Sequence, residues 1–489
     1  VQLSELTGAT ADALKNAGTA LLDLMTPTVR LGVTGLARSG KTVFITALVR
    51  NLVAGGRLPF FAAMAEGRIT RAYLEPQPDD SVPRFAYEEH LAEFAKDPPQ
   101  WPESTRRISQ LRLTIEYAPA RTLARTLRRA LGPGRLHVDI VDYPGEWLID
   151  LPLLELTFAE WSLRAVEEAR LPHRLAAAKD WLSHIAALDG NAAADEQVAL
   201  TGAGLFTRYL KAARAPDTEL TAPGPGRFLL PGDLADTPLI TFFPLPPAGD
   251  GYRRGTLGAM LARRFESYKT HVVEPFFRDH FARLDRQIVL IDALSALNGG
   301  SAAVTGLQHS LEAILKCFRP GANTWLSRIL SRRIDRLLFA ATKADHLHHT
   351  SHDRLEAILR AIADKAIARA AFAGAEVKVM ALAALRATRE AEARQGRERL
   401  ACIVGVPLAG ERLGSKTYDG RTEAALFPGD LPRDPASLIG GGAGHANAVH
   451  FLRFRPPRVT LEMPSGEEPA LPHIRLDRAI EFLLGDRLI

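Results

Sequence analysis

Eight consecutive residues, Gly35-Leu36-Ala37-Arg38-Ser39-Gly40-Lys41-Thr42, carry the most specific chemistry in the chain. They fit the spacing G-x-x-x-x-G-K-[ST], which predicts a nucleoside triphosphate ligand. A β-phosphate needs several N–H donors converging on it, and glycine lets a loop curl tightly enough to aim its backbone inward. The helix start that follows adds unpaired N–H groups and the positive end of a dipole. Lys41 supplies a cation for the β- and γ-phosphates, and Thr42 a hydroxyl ligand for Mg²⁺. Leu36, Ala37, Arg38, Ser39, Gly40 and Val43 complete the stretch expected to cradle the phosphates.

This loop requires a strand before it and a helix after it. Residues 29–34 read as a short apolar strand, and residues 43–49 place apolar side chains at helical spacing. Further strands are expected at residues 111–117, 136–142, 287–292, 336–341 and 376–382, alternating with helices over 304–318 and 353–372. Strands alternating with helices after such a loop predict an α/β fold, with a mostly parallel sheet and its ligand at the strand C-termini. Residues 55–106 read as a proline-rich irregular connection with one short helix near residues 88–96. Residues 147–286 differ in composition and predict a mainly helical insertion, with Trp147, Trp161 and Trp181 as core residues. The expected division is 1–146 and 287–400 as the two parts of the nucleotide domain, 147–286 as the insertion, and 401–489 as a C-terminal extension. That extension should hold short strands at 401–407 and 450–455, a glycine-rich linker at 440–444 and a helix over 477–484. An additional helix is expected over 8–26.

Composition bounds the partners. The net charge of +5 over 489 residues is a mild imbalance, and no basic run is interleaved with aromatics, so nucleic acid is not expected. Contact with an anionic membrane surface stays open. No apolar run is long enough to cross a bilayer. Two distant cysteines, Cys317 and Cys402, argue against a disulfide framework, and the cytoplasm is the expected compartment.

Two further motifs sit at strand ends. Residues 136–148 (LHVDIVDYPGEWL) form a buried strand ending in Asp142-Tyr143-Pro144-Gly145-Glu146. Asp142 is placed to hold Mg²⁺ directly or through water. Gly145 can bring its N–H to a γ-phosphate because no side chain obstructs the approach. Asp292, at the end of another strand, is a second acid of the same kind. Residues 339–345 (FAATKAD) end in Thr342-Lys343-Ala344-Asp345, which fits the [NT]-K-x-D element that reads guanine. A buried Asp there accepts from guanine N1 and N2, and adenine lacks that pair of donors. His346, His348 and His349 raise a metal reading, but no second ligand cluster has recognisable spacing, and a solvated helix start is expected instead.

Together with residues 289–300 (VLIDALSALNGG), these motifs resemble the YcjX-like family of bacterial P-loop NTPases, over nearly the whole chain. The resemblance implies a stress-associated cytoplasmic NTPase with a Ras-like domain and a helical insertion. Carried over, Lys41 and Thr42 match the P-loop lysine and Mg²⁺ hydroxyl, Asp142 and Gly145 the D-x-x-G turn, and Lys343 and Asp345 the base-reading pair. Two positions depart from many GTPases: Glu146 stands where Gln orients the attacking water, and Thr342 where Asn is usual. Thr105 is the candidate Mg²⁺-sensing threonine, with a turn cap as the competing role. Arg38 and arginines of the insertion are candidates for stabilising transition-state charge. The expected function is a Mg²⁺-dependent, slowly hydrolysing GTP switch acting on a protein partner, with GTP and GDP as ligands. An ATPase or kinase-like transferase, or a nucleotide-holding scaffold without turnover, are the alternatives.

Overall fold

Period-two alternation of apolar side chains builds a seven-stranded mixed sheet that buries both faces. The computed structural model describes residues 26–36, 38–103, 107–120, 134–213, 224–235, 237–247, 251–316, 334–395, 398–435, 450–461 and 469–489. The strands are β1 (Thr28–Gly35), β2 (Ile69–Glu75), β3 (Ser109–Tyr117), β4 (Gly134–Asp142), β5 (Arg286–Ile291), β6 (Arg336–Ala341) and β7 (Glu376–Ala381). Their order is β2-β3-β4-β1-β5-β6-β7. β4, β1, β5, β6 and β7 run parallel, and β2 and β3 form an antiparallel margin. The fold is therefore α/β with a mostly parallel sheet flanked by helices. All five parallel strands end near the glycine loop, so the ligand edge is common to them.

In β6, Leu338 and Ala340 enter one apolar core while Leu337, Phe339 and Ala341 enter the other. The first core is closed by α1 (Lys41–Val53), α2 (Tyr87–Ala95) and the C-terminal helix Leu476–Leu484. That last helix is tied back across the chain, since Asp477 accepts from the Phe60 N–H and Glu481 from the Ala62 N–H. At the far end of the sheet Arg286, 1% exposed, reaches Asp335 at 2.7 Å and Asp486 at 2.8 Å.

The second core joins the other face of the sheet to the 147–286 segment. Its helices α3 (Phe158–Ala169), α4 (Pro172–Ala186), α5 (Glu196–Ala213) and α6 (Leu257–Tyr268) pack around aromatic rings. Thr157 and Glu160 form a reciprocal capping box that starts α3. Trp161 stacks on Phe265 and Trp181 on Tyr209, with centroids 4.9 and 5.4 Å apart, and Trp147, Trp161 and Trp181 are all buried as expected. Downstream of β5 come α7 (Ala293–Asn298), α8 (Gly300–Lys316), α9 (His352–Ile362) and α10 (Asp364–Phe372). After β7 a small antiparallel sheet is made by β8 (Arg389–Gln395), β9 (Glu398–Gly405) and β10 (Ala424–Leu426).

Several local expectations change. Residues 55–106 contain the strand β2, whose register slips between Ile69 and Arg71. That slip and its edge position blur the alternation in ITRAYLE. The helix expected over 353–372 breaks at Ala363 into two. The stretch 450–455 is extended but pairs only through an isolated Pro407–Phe454 bridge. The expected helix at 8–26 and the linker at 440–444 lie outside the described residues.

One buried acid ties the stretch that leaves β4 to the rest of the 147–286 segment. The chain after β4 enters a 3₁₀ stretch, Gly145–Glu155, in which Asp150 is 2% exposed. Its carboxylate accepts from the Gly226 N–H at 2.6 Å and from the Tyr268 hydroxyl at 2.7 Å. Burial pushes the Asp150 carboxyl up to about 6, with those hydrogen bonds and the Arg227 cation pulling the other way. An unfolded Asp titrates near 3.9. The folded chain therefore binds a proton that the unfolded chain has released, so this contribution to stability is complete below that value and is lost as pH rises through 6. Between pH 5 and 7.5 the wild-type protein should lose about 1–2 kcal/mol more stability than Asp150→Asn. Urea unfolding across that range checks this, and parallel profiles for the two proteins would contradict it.

Candidate functional site

The glycine loop forms where β1 meets α1. Gly40 sits at φ 90° and directly precedes the helix, with no side chain capping the first turn. Arg38 is also left-handed, at φ 61°. These two residues turn the chain so that the helix N–H groups face the cavity rather than a cap. Ser39 is 2% exposed and its hydroxyl has no hydrogen-bond partner among the described residues. A buried orphan hydroxyl beside an uncapped helix start fits a phosphate oxygen as its missing partner. Lys41 is buried and donates from Nζ to the Gly35 carbonyl at 2.8 Å, which holds its head over the loop. The Thr42 hydroxyl lies 3.4 Å from the Glu103 carbonyl, linking the loop to the segment before β3.

The Asp142–Glu146 turn is packed directly on this loop. Asp142 closes β4 opposite Val33 of β1 and is 1% exposed. A Cβ added to Gly145 would lie 2.5 Å from the Gly35 carbonyl oxygen and 2.7 Å from its carbon. Only glycine permits that approach, because neither contact atom can rotate away. Glu146 is 1% exposed, and Gly226 of the insertion presses against its carbonyl. Arg227 stacks over the Trp147 ring at 3.2 Å.

Across the cavity, the 342–345 turn is held from three sides. The Thr342 hydroxyl donates to the Ile291 carbonyl at 3.3 Å. Lys343 is left-handed at φ 60° and its ammonium pairs with Asp292. Asp292 also caps α7 by accepting from the Ser295 N–H, so this second acid is already engaged by two partners. Asp345 is 4% exposed and accepts from the Ala387 N–H at 2.8 Å. Its own carbonyl accepts from the Thr388 hydroxyl. A carboxylate offers about four acceptor positions, so these bonds aim the group and leave capacity for a ligand. His346 is buried against Phe454 rather than solvated, and burial lowers its pKa from the ordinary value.

One cavity of about 360 Å³ joins the glycine loop to the 342–345 turn, and Asp142, Gly145 and Glu146 are not among its lining residues. Arg38, Ser39, Gly40, Lys41, Thr42 and Val43 line it together with Thr342, Lys343 and Asp345. Leu36 instead borders a small gap beside Gly145 and Asp292. Ala37 and Thr105 lie outside the described residues. Trp101 to Glu103 also line the cavity, and two further groups in the wall escaped sequence reasoning: the turn Leu382–Ala387, and Arg453 with Phe454. Trp101 donates from its indole N–H to the Phe454 carbonyl at 2.7 Å, so two segments far apart in sequence make one wall. The turn after β7 was discoverable, since it lies at the C-terminal edge where α/β sheets bind ligands. Nothing in the sequence pairs residue 101 with 454.

The model of the YcjX-like family, DUF463, matches residues 29–488. A protein of Escherichia coli named "Ras-like GTPase YcjX" is 37% identical over 470 residues, covering 94% of this chain and 96% of the relative. A protein of the same name from Shewanella oneidensis is 33% identical over 478 residues, covering 94% of each.

The close approach of Gly145 to Gly35 makes the turn a part of the loop's geometry. Gly145→Ala should cost about 1–3 kcal/mol of stability by overpacking and weaken triphosphate binding as the two segments separate. Thermal unfolding and nucleotide titration check both effects, and a variant matching wild type in both would contradict the packing described.

Proposed function

The chain belongs to the YcjX-like family, and from that premise we propose that it is a Mg²⁺-dependent GTPase that works as a switch, hydrolysing slowly and signalling to a protein partner. The observation that carries this reading is one cavity lined both by Lys41 of the glycine loop and by the buried Asp345. Its size suits a nucleotide. Asp345, oriented by Ala387, would accept from guanine N1 and N2, whereas adenine would face the carboxylate with a lone pair at N1. The stem of Lys343 would pack over the base while Asp292 holds its ammonium. A stress-response setting, as the family resemblance implies, belongs to the same proposal.

At the phosphate end, Lys41 and the α1 N–H groups would bind the β- and γ-phosphates, with the Ser39 hydroxyl gaining a partner. Thr42, with Asp142 behind it, would hold Mg²⁺, which neutralises phosphate charge. Thr105 and Arg38 keep the roles expected of them, as proposals. Gly145 would offer its N–H to the γ-phosphate. Glu146 would position water, and its burial beside an anion makes that role slow unless Mg²⁺ and Lys41 offset the charge. The output path is the Gly145–Glu155 stretch, clamped to Gly226 and Tyr268 of the insertion through Asp150.

Calorimetric titration with GTP and ATP in Mg²⁺, on wild type and Asp345→Asn, tests the proposal. GTP should bind at least about tenfold tighter than ATP, and the substitution should cost GTP about 1.5–3 kcal/mol, the worth of a hydrogen bond to a charged group. Comparable ATP binding, indifferent to Asp345, would contradict it and favour an ATPase or phosphotransferase.

A further inference from the structure

We propose that His348, His349 and Glu390 bind a borderline divalent transition ion, with Zn²⁺ as its representative, on the flank of the 342–345 turn. The sequence supplies His348 and His349 side by side, and the neighbouring histidines are engaged elsewhere: His346 packs against Phe454 and His352 Nε2 bonds the Ala344 carbonyl. The fold supplies a third ligand: Glu390, at the start of β8, folds back onto the histidines from 41 residues away. His349 Nδ1 lies 2.8 Å from Glu390 Oε2, and His348 Nε2 lies 3.8 Å from the same oxygen. One ligating atom from each residue falls within 4.8 Å of the others. Around a tetrahedral Zn²⁺ with ligands at about 2.0–2.1 Å, neighbouring ligand atoms sit roughly 3.3 Å apart. The observed separations bracket that distance, and His349, with a side chain 64% exposed, is free to make the small rotation that closes the set.

The surroundings orient the first ligand. The Thr350 hydroxyl is 3.0 Å from His348 Nδ1 and can accept its proton, while the Thr350 N–H, at 3.5 Å, is a long contact to the same nitrogen. With Nδ1 protonated, the Nε2 lone pair faces Glu390, which is the outer-sphere arrangement common to metal-bound histidines. Two imidazoles and one carboxylate select Zn²⁺ and similar ions over Mg²⁺ and Ca²⁺, which prefer oxygen ligands. The two rings, with centroids 4.3 Å apart, converge on one carboxylate oxygen. Arg386, 3.8 Å from the other Glu390 oxygen, opposes a bound cation and sets the affinity in the micromolar rather than the structural-zinc range.

The position gives such an ion a consequence. His348 lies three residues after Asp345, and Glu390 two after Thr388, which holds the Asp345 carbonyl. An ion joining them would tie the two segments that orient Asp345. Any effect on nucleotide affinity rests on the base-reading role proposed above; the binding of the ion does not.

The test is titration of the full-length, chelator-treated protein with ZnCl₂ without nucleotide, and spectroscopy with Co²⁺ in its place. Wild type should bind one equivalent of Zn²⁺ in the micromolar range and give visible Co²⁺ ligand-field bands. His349→Ala and Glu390→Gln, both altered at solvent-accessible side chains, should weaken binding at least tenfold and lose the bands. Absence of stoichiometric binding to wild type, or binding that neither substitution changes, would overturn the proposal.

Discussion

The backbone of Gly145 rests against the backbone of Gly35, and most of the arrangement of the site depends on that contact. It is possible because Gly145 carries no Cβ; a Cβ on Gly35 would meet Ser39 and Leu290 instead. The contact brings the turn after β4 onto the glycine loop, with Gly145 against Gly35, whose carbonyl also accepts from Lys41. From there the close packing continues outward. Gly226 presses on the Glu146 carbonyl, Asp150 grips the Gly226 N–H, and Tyr268 donates to the same carboxylate. Dense packing of this kind transmits small displacements, because interiors repack between discrete arrangements rather than deforming smoothly. In the function proposed, a change of ligand at the loop would reach the helices of the 147–286 segment through backbone and one buried acid.

The part of the cavity lined by the 342–345 turn is built differently. Asp345 is aimed by hydrogen bonds from the turn after β7 rather than by packing alone. Lys343 is steered by Asp292, which also starts α7. The wall over the cavity comes from Trp101 and from Phe454, joined by the indole hydrogen bond. Segments before β3 and from the C-terminal region thus meet at the ligand, so the site is a product of the whole chain and not of the sheet alone.

The parts legible in the sequence are those whose physics is local. The glycine loop, the continuous apolar strands and the strand-end acids each follow from residue types within about ten positions. The helix expected from residue 353 forms, and Leu355, Ile358, Leu359 and Ile362 are buried along it. β2 was illegible because an edge strand with a register slip has only weak alternation. The break at Ala363 carries no glycine or proline to announce it. His346 reads as polar yet is buried by Phe454, which lies 108 residues away, and Glu390 reaches the histidines only through the fold. Contacts of that range leave no periodic trace in a single sequence.

Coupling between the glycine loop and the insertion is the central claim, and amide hydrogen exchange measures it most directly. Exchange would be compared with Mg²⁺–GDP and with a Mg²⁺-bound non-hydrolysable GTP analogue, following residues 145–155 and 224–229. The account predicts greater protection with the triphosphate in both segments, including the Gly226 amide held by Asp150. Protection that changes only at residues 35–45, with both segments indifferent to the nucleotide, would contradict it.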